Sequence, residues 1–342
     1  MDITSLSDTK NIDLRSEREF EKGTIPDSVN IPILSNDEFE KVGKEYKNNG
    51  QEAAIFLGQR LVKGELREKR ILSWKNHIVK HPRSTIFCYR GGLRSQIALE
   101  WLESENINIK ILSGGYKKFR SIIINEHTNI NKYRKNWIIV GGLTGSGKTV
   151  LINQLNQKID LEDIANHRGS AFGKNKSTQP TQANFENLLT IKYLEHGYPN
   201  IILEDESRTI GSAGLPGFWY KKMQISKLVV LKISTEQRIK NILNEYVIDE
   251  LSVLSDPNEL LKKYLVSLEK IKKRLGDMLY REISNLMMNG FKNNDNRLHE
   301  DWILKLLTKY YDPMYNYKLE SRKDYIVHVG DEISCLKYLK SV

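Results

Sequence analysis

Apolar positions along this chain fall into short β-branched runs separated by longer stripes at helical spacing. Strands that alternate with helices in this way predict α/β layers built on parallel sheets. In the first third, residues 11–15 read as a short strand, and residues 17–20 start a helical turn. Residues 23–32 read as a loop carrying two prolines with Val29 and Ile31. Residues 37–80 are helical by pattern and rich in both charge signs. Residues 84–88, Ser-Thr-Ile-Phe-Cys, are β-branched and aromatic and predict a buried strand. A Gly-containing loop follows, then a helix through residues 96–103 and a strand over 107–112 that ends at Ser113-Gly114-Gly115. Residues 126–135 are polar, Asn-rich and unpatterned, and read as a linker between a domain of residues 1–125 and one of residues 136–342.

The second domain opens on an apolar strand, residues 136–140, and a helix is expected to begin at Val150-Leu151-Ile152. Further strands are predicted over 200–205, 227–233 and 325–329. Residues 255–289 form one long helical pattern, with Ser255 or Asp256 as its cap and Pro257 in its first turn. Its apolar stripe includes Leu261, Leu265, Leu268, Ile271, Leu275 and Met278.

Composition adds a direction. The 342 residues carry a net charge of +10. Residues 1–130 hold 21 Lys and Arg against 18 Asp and Glu, whereas residues 131–342 hold 32 against 25. The excess therefore lies mainly in the second half. It suits a polyanionic partner such as nucleic acid, and equally a Lys-rich solvated surface. Two cysteines, Cys88 and Cys335, are too few for a disulfide framework and point to a reducing compartment. The polar start Met-Asp-Ile-Thr lacks a signal peptide's basic and apolar segments. No apolar stretch approaches a bilayer span, so a cytoplasmic protein without a membrane partner is expected.

Gly142-Leu143-Thr144-Gly145-Ser146-Gly147-Lys148-Thr149 matches the phosphate-loop pattern in full, between a strand and a helix. Gly142, Gly145 and Gly147 let the backbone curl so that N–H groups, those of Thr144 and Ser146 included, point at phosphate oxygens. The following helix adds its positive dipole end. Lys148 supplies a point charge, and Thr149 a hydroxyl for Mg²⁺. Residues 201–206, Ile-Ile-Leu-Glu-Asp-Glu, end a strand in carboxylates, and Asp205 or Glu204 is the candidate acidic partner of that metal. Arg208, just beyond, is a candidate second phosphate clamp, or else a surface partner of Glu206.

Cys88-Tyr89-Arg90-Gly91-Gly92-Leu93-Arg94-Ser95 also follows a strand and precedes a helix. Inward N–H groups together with Arg90 and Arg94 favour the thiolate, and would equally cradle a persulfide or selenopersulfide. Cys335 has no such surroundings and reads as core on a terminal helix.

Three segments of the first half resemble rhodanese domains. They are Asp13-Leu14-Arg15-Ser16 with the following Gly23-Thr24-Ile25-Pro26-Asp27, the Cys88–Ser95 loop, and Leu112-Ser113-Gly114-Gly115-Tyr116. Thr24 stands where a His is usual and Asp27 where a small residue is usual; both read as surface-loop changes. A rhodanese-like domain carrying Cys-x-Arg-Gly-Gly-x-Arg-Ser and followed by a P-loop domain resembles the tRNA 2-selenouridine synthases. So do Asn166-His167-Arg168-Gly169-Ser170, Gln179-Pro180-Thr181-Gln182, Glu206-Ser207-Arg208 and Tyr310-Tyr311-Asp312-Pro313-Met314-Tyr315.

The resemblance implies a fold and a chemistry. The fold is an N-terminal rhodanese-like parallel sheet with flanking helices, plus a C-terminal P-loop α/β domain with a helical extension. The chemistry is transfer to a tRNA carrying 2-thiouridine at its wobble position: S-geranylation from geranyl diphosphate, then exchange for selenium from selenophosphate. Cys88 takes a selenylated-cysteine role. No tightly bound cofactor is implied, and Mg²⁺ would accompany the phosphates.

For the RNA, Lys263, Lys270, Arg274 and Arg281 lie at spacings of seven, four and seven along the 255–289 pattern, as a basic stripe or a solvated face. Trp219, Tyr220, Tyr310, Tyr311, Tyr315 and Tyr317 are candidates for stacking on flipped bases, or for packing. Two other readings remain. One is a nucleotide-dependent kinase or ATPase with a regulatory rhodanese-like domain, for which Ser234-Thr235-Glu236-Gln237-Arg238 after a strand speaks. The other is a non-enzymatic sulfur-carrier or RNA-binding scaffold.

Overall fold

The structure, a computed structural model, describes residues 2–7, 9–254 and 256–342. The chain forms two compact units. The first runs to Ile130 and takes in Pro180–Glu195; the second comprises Asn131–Gln179 and His196–Val342.

In the first unit, four short strands form one parallel sheet: β1 (Ile12–Asp13), β2 (Val29–Asn30), β3 (Thr85–Phe87) and β4 (Lys110–Ile111), in the order β2-β1-β3-β4. Successive strand residues point to opposite faces. Ile86 therefore joins Ile12, Leu14, Trp74, Ala98 and Leu102 on one face, while Phe87 joins Ile25, Phe119, Ile123 and Ile191 on the other. A sheet buried on both sides needs helices on both. Asn36–Leu61, Glu65–Lys80 and Leu93–Glu103 cover the first face. Gly115–Thr128 and Gln182–Glu195 cover the second.

Two boundaries differ from the sequence reading. Residues 126–135 are not an unstructured linker: the helix continues to Thr128 and a 3-10 turn spans Ile130–Tyr133, with His127 and Ile130 buried. Residues 182–195, which the boundary at 136 assigned to the second domain, form a helix, Gln182–Glu195, that belongs to the first unit. Thr24 ties it there, donating its N–H to Asn184 Oδ1 and accepting Asn187 Nδ2 on its carbonyl, each at 2.8 Å. Thr24 is thus buried rather than a surface change, and its hydroxyl donates to Asp13 at 2.8 Å. Asp27 is exposed, as expected.

The second unit holds a parallel sheet of β5 (Asn136–Gly141), β6 (Asn200–Glu204), β9 (Lys227–Leu231) and β10 (Ile326–Gly330), ordered β10-β9-β5-β6. A two-stranded hairpin, β7 (Thr209–Ile210) and β8 (Ala213–Gly214), lies between β6 and β9 in the chain. β6 and β9 flank β5 on opposite sides, so the loop leaving β5 sits at a topological switch point, where α/β sheets bind ligands. Cys335 and Leu339, on the helix Glu332–Lys340, are fully buried against Ile138, Val140 and Val229. Cys335 is therefore core.

The long pattern over 255–289 is two helices, Pro257–Leu275 and Asp277–Asn293, separated at Gly276 with φ 86°. Asp256 caps the first by accepting the Asn258 N–H at 2.9 Å, whereas Ser255 lies outside the described residues. Tyr264, Leu268 and Ile271 bury one face against Phe172, Phe291 and Trp302. Met278 stays exposed. Trp219 is not a platform for bases: it is 1% exposed, with its ring 5.0 Å from that of Trp137.

Asp205 and Arg322 form an ion pair at 2.5 Å with both side chains 4% exposed. Removing one partner of such a pair leaves an uncompensated buried charge. Arg322→Leu is expected to destabilise this unit by about 3–5 kcal/mol, read as a lower denaturation midpoint. Arg322→Leu combined with Asp205→Asn should recover most of that loss.

Candidate functional site

The thiol site grows out of β3. Cys88 follows the last strand residue, and its carbonyl accepts the Tyr116 N–H at 3.0 Å. The Tyr89 carbonyl accepts the Lys117 N–H at 2.8 Å. The Ser113-Gly114-Gly115 turn is thereby clasped onto the cysteine loop. No side chain fits between them: a Cβ on Gly115, where φ is +54°, would lie 2.2 Å from the Cys88 carbonyl oxygen. The third motif closes the arrangement. Arg15 pairs with buried Asp13 at 2.5 Å, donates to the Gly23 carbonyl at 2.8 Å and lies 4.0 Å from the Tyr116 ring centroid.

Cys88 is 4% exposed, more buried than a freely accessible nucleophile. Burial pushes its thiol up. The Ser95 hydroxyl, the Arg94 charge and the N–H groups of Arg90 and Ser95 together outweigh that burial, so the net shift is downward, toward thiolate. The buried Ser95 hydroxyl meets no hydrogen-bond partner within bonding distance among the described residues. Arg94 does not point freely into the loop. It forms a forked pair with Glu19 at 2.6 and 3.0 Å, which holds its position beside the sulfur. Arg90 contributes its backbone N–H, while its side chain is exposed.

The phosphate loop leaves β5 as the pattern requires. Gly145 has φ +79°, and a Cβ there would lie 2.7 Å from Ile242. The helix after the loop is shorter than expected: Lys148–Ile152 is five residues, so loop N–H groups and Lys148 carry more of the anion affinity than a helix dipole does. Lys148 folds back to donate to the Gly142 carbonyl at 3.0 Å. Distant residues shape the loop. Tyr315 Oη accepts the Gly142 N–H at 2.5 Å. Arg238, 2% exposed, donates to the Thr144 carbonyl at 2.8 Å and pairs with Asp312 at 2.5 Å. Asn241 donates to the Gly145 carbonyl at 2.9 Å. Arg238 lies in the segment that favoured a kinase, and Asp312 and Tyr315 in the Tyr-rich motif, but neither pattern revealed a role on the loop.

Asp205 lines the cavity at this loop, but its carboxylate is paired with Arg322 and is not one of the converging acids. Glu162, Glu204 and Glu206 each bring a carboxylate oxygen within 4.8 Å of the others. Thr149 Oγ1 lies 3.5 Å from Glu162. Burial above all, then mutual repulsion, pushes these carboxyls up against the pull of Lys148, Glu162 to about 9 and Glu204 to about 7. Glu204 Oε1 is buried with no partner among the described residues. Hard oxygen donors at this spacing fit Mg²⁺. Mg²⁺ is expected to stabilise the protein by about 2.7 kcal/mol at a hundredfold excess over its Kd. Glu204→Gln should abolish that gain in a thermal melt.

A cavity of about 640 Å³ opens from the loop. Its lining includes charged and polar groups, among them Lys148, Thr149, Arg168, the three glutamates, Asp205, Glu245, Arg274 and Lys318, and apolar and aromatic ones, among them Phe172, Ile242, Trp302, Leu306, Tyr310 and Met314. Arg168, Gly169 and Ser170 of the Asn166–Ser170 motif are part of the lining, with Arg168 paired to Glu250 at 3.2 Å. Arg208 is exposed and does not line the cavity, so it is no clamp here. Nor do the four basic residues form one stripe. Arg274 lines the cavity, Lys263 is paired with Glu250 at 3.2 Å, and Lys270 and Arg281 are exposed but stand on two different helices. Tyr310 and Tyr311 are wall residues, Tyr315 holds the loop, Tyr220 is half-buried and Tyr317 is exposed.

Fold and sites together define a protein with a rhodanese-like thiol unit joined to a P-loop unit. The chain belongs to the tRNA 2-selenouridine synthase family. The family's AAA-domain profile matches residues 135–342, and the rhodanese-like domain profile matches residues 3–122. Proteins named tRNA 2-selenouridine synthase from Shewanella frigidimarina and Azotobacter vinelandii are each 41% identical. The first alignment covers 96% of this chain and 93% of the relative, the second 98% and 94%. No described helix is long and apolar enough to cross a membrane.

Proposed function

We propose that this protein is a tRNA-modifying transferase that makes 2-selenouridine from wobble 2-thiouridine in two steps. The carrying observation is the mixed lining of the cavity at the phosphate loop. Lys148 and the loop backbone suit a diphosphate, and the many hydrocarbon and aromatic side chains that share the cavity suit a prenyl chain such as geranyl better than the polar edges of a nucleobase.

In the first step the uridine sulfur attacks C1 of geranyl diphosphate. The C–S bond forms, the C–O bond breaks, and diphosphate leaves with the electron pair. Lys148 and the loop N–H groups stabilise the charge that develops on the leaving oxygen. Glu162, Glu204, Glu206 and Thr149 would hold Mg²⁺, which supplies further charge for the leaving group.

In the second step the selenium of selenophosphate attacks C2 of the ring. The C–S bond breaks, geranylthiolate leaves and takes a proton, and water, giving up a proton to the Cys88 thiolate, then cleaves the Se–P bond to release phosphate. The amides of Arg90 and Ser95 and the Arg94 charge beside Cys88 form the chalcogen site of this step. Cytoplasmic tRNA is the substrate this reading requires.

The test is a stepwise assay with an anticodon stem-loop RNA carrying 2-thiouridine. Geranyl diphosphate alone should yield the S-geranyl nucleoside by mass spectrometry, and later addition of selenophosphate should yield 2-selenouridine. ATP turnover without either product would sink the reading in favour of a kinase or ATPase.

A further inference from the structure

A second cavity lies wholly within the first unit, and the two steps above do not yet use it. Its volume is about 380 Å³. The helix Asn36–Leu61 creates it by bending at Gly50, where φ is 85° and ψ −174°. Phe39 and Val42 line it from the arm before the bend, Ala54 and Ile55 from the arm after. Ile97 and Trp101 line it from the helix that follows the cysteine loop. Nearly all of this surface is hydrocarbon, yet Phe39, Tyr46 and Leu93 are left 36–57% exposed at residues that line it.

The charged exception is Arg94, beside the neutral polar Gln51 and Gln59. It lines this cavity, lies 4.9 Å from the Phe39 ring centroid and lends its charge to the Cys88 sulfur. One side chain therefore borders both the apolar cavity and the thiol. Two lining residues are glycines with no need of glycine's backbone freedom: a Cβ on Gly43 would meet nothing within 4 Å, and one on Gly58 only Val42 at 3.8 Å. The space they leave is what a ligand would occupy.

We propose that this cavity receives the prenyl chain of the S-prenylated uridine during the second step, so that C2 of the ring is presented at the Cys88 loop. This rests on the two-step reading above. The size agrees: ten carbon-sized groups at roughly 30 Å³ each need on the order of 300 Å³. Chemistry agrees as well, since an apolar slot gains nothing from a polar nucleotide and excludes water from a branched hydrocarbon. Release of the prenyl thiol from the same slot then completes the exchange.

The test uses the full chain and RNA already carrying S-geranyl-2-thiouridine, supplied with selenophosphate. Gly43→Leu and Gly58→Leu fill the cavity, and leucine is a better helix former than glycine. Both are expected to raise KM for this RNA at least tenfold, to convert an S-methyl-2-thiouridine RNA as wild type does, and to keep geranylation from geranyl diphosphate within twofold. Ile55→Ala enlarges the slot and should shift preference toward a fifteen-carbon S-farnesyl RNA, a gain that misfolding cannot produce. Unchanged kinetics on S-geranyl RNA in the filled variants, with no change of chain-length preference in Ile55→Ala, overturns the cavity assignment while leaving the two-step reading intact. If wild type neither geranylates nor converts the S-geranyl RNA, the two-step reading falls and the assignment with it.

Discussion

Lys148→Ala is expected to slow prenyl transfer by about 10²–10³, the cost of removing one preorganised group from a developing oxyanion. Lys148 sits where a diphosphate would lie, donating to its own loop at Gly142. It is also the cation that offsets Glu162, Glu204 and Glu206, since its charge opposes the rise in all three carboxyls. Its loss therefore acts twice: the leaving group loses a counter-charge, and the carboxylates become harder to ionise. Single-turnover assays with labelled geranyl diphosphate read the first effect. Lys148→Arg, which keeps the charge but not the point geometry, should recover only part of the rate. Conversion of RNA that already carries the prenyl group should be untouched by Lys148→Ala. A full rate of prenyl transfer in this variant would remove the phosphate loop from the first step.

The second large effect is the mirror image. Cys88→Ala should spare prenyl transfer and stop selenium incorporation, so that S-geranyl RNA accumulates. The wild-type rate of the second step should fall as pH drops through the Cys88 pKa, which its surroundings hold below that of an ordinary cysteine. Arg94→Met removes a positive charge beside the sulfur and raises that pKa. The acid limb of the profile should then move to higher pH, with the plateau rate less affected. Ser95→Ala should move it the same way by removing a hydroxyl that helps to lower the thiol's pKa. A profile that does not respond to either substitution would mean that Cys88 ionisation does not govern this step.

The legible and illegible parts of the site differ in kind. The glycine spacing of the phosphate loop, the Cys-x-Arg-Gly-Gly-x-Arg-Ser loop and the strands before them were readable because such loops are shaped by their own residues. The acid facing the phosphate loop was not. Glu204, Asp205 and Glu206 are equivalent as a string, but consecutive residues of an extended chain point in opposite directions. Which parity faces the loop depends on the pairing of β6 with β5, where Val140 stands beside Glu204. It depends also on Arg322, 117 residues beyond Asp205, which pairs with Asp205 and keeps it out of the cluster. The basic pattern over 255–289 misled for a related reason. Helical spacing was extrapolated through Gly276, whose backbone is not helical, and so Arg281 fell on a different helix.

By itself the sequence determined the Cys88 loop and the phosphate-loop motif, the parallel α/β class of both units and the family to which the chain belongs, because those features are written in short-range backbone chemistry and periodicity. Only the tertiary structure decided which carboxylates converge, that Arg238 and Tyr315 hold the phosphate loop, that Gln182–Glu195 joins the first unit, and that a bend at Gly50 opens a cavity beside the thiol. Each of these is a meeting of residues far apart along the chain. Such meetings are set by packing and by which face each element buries, and neither is encoded in any local stretch of residues.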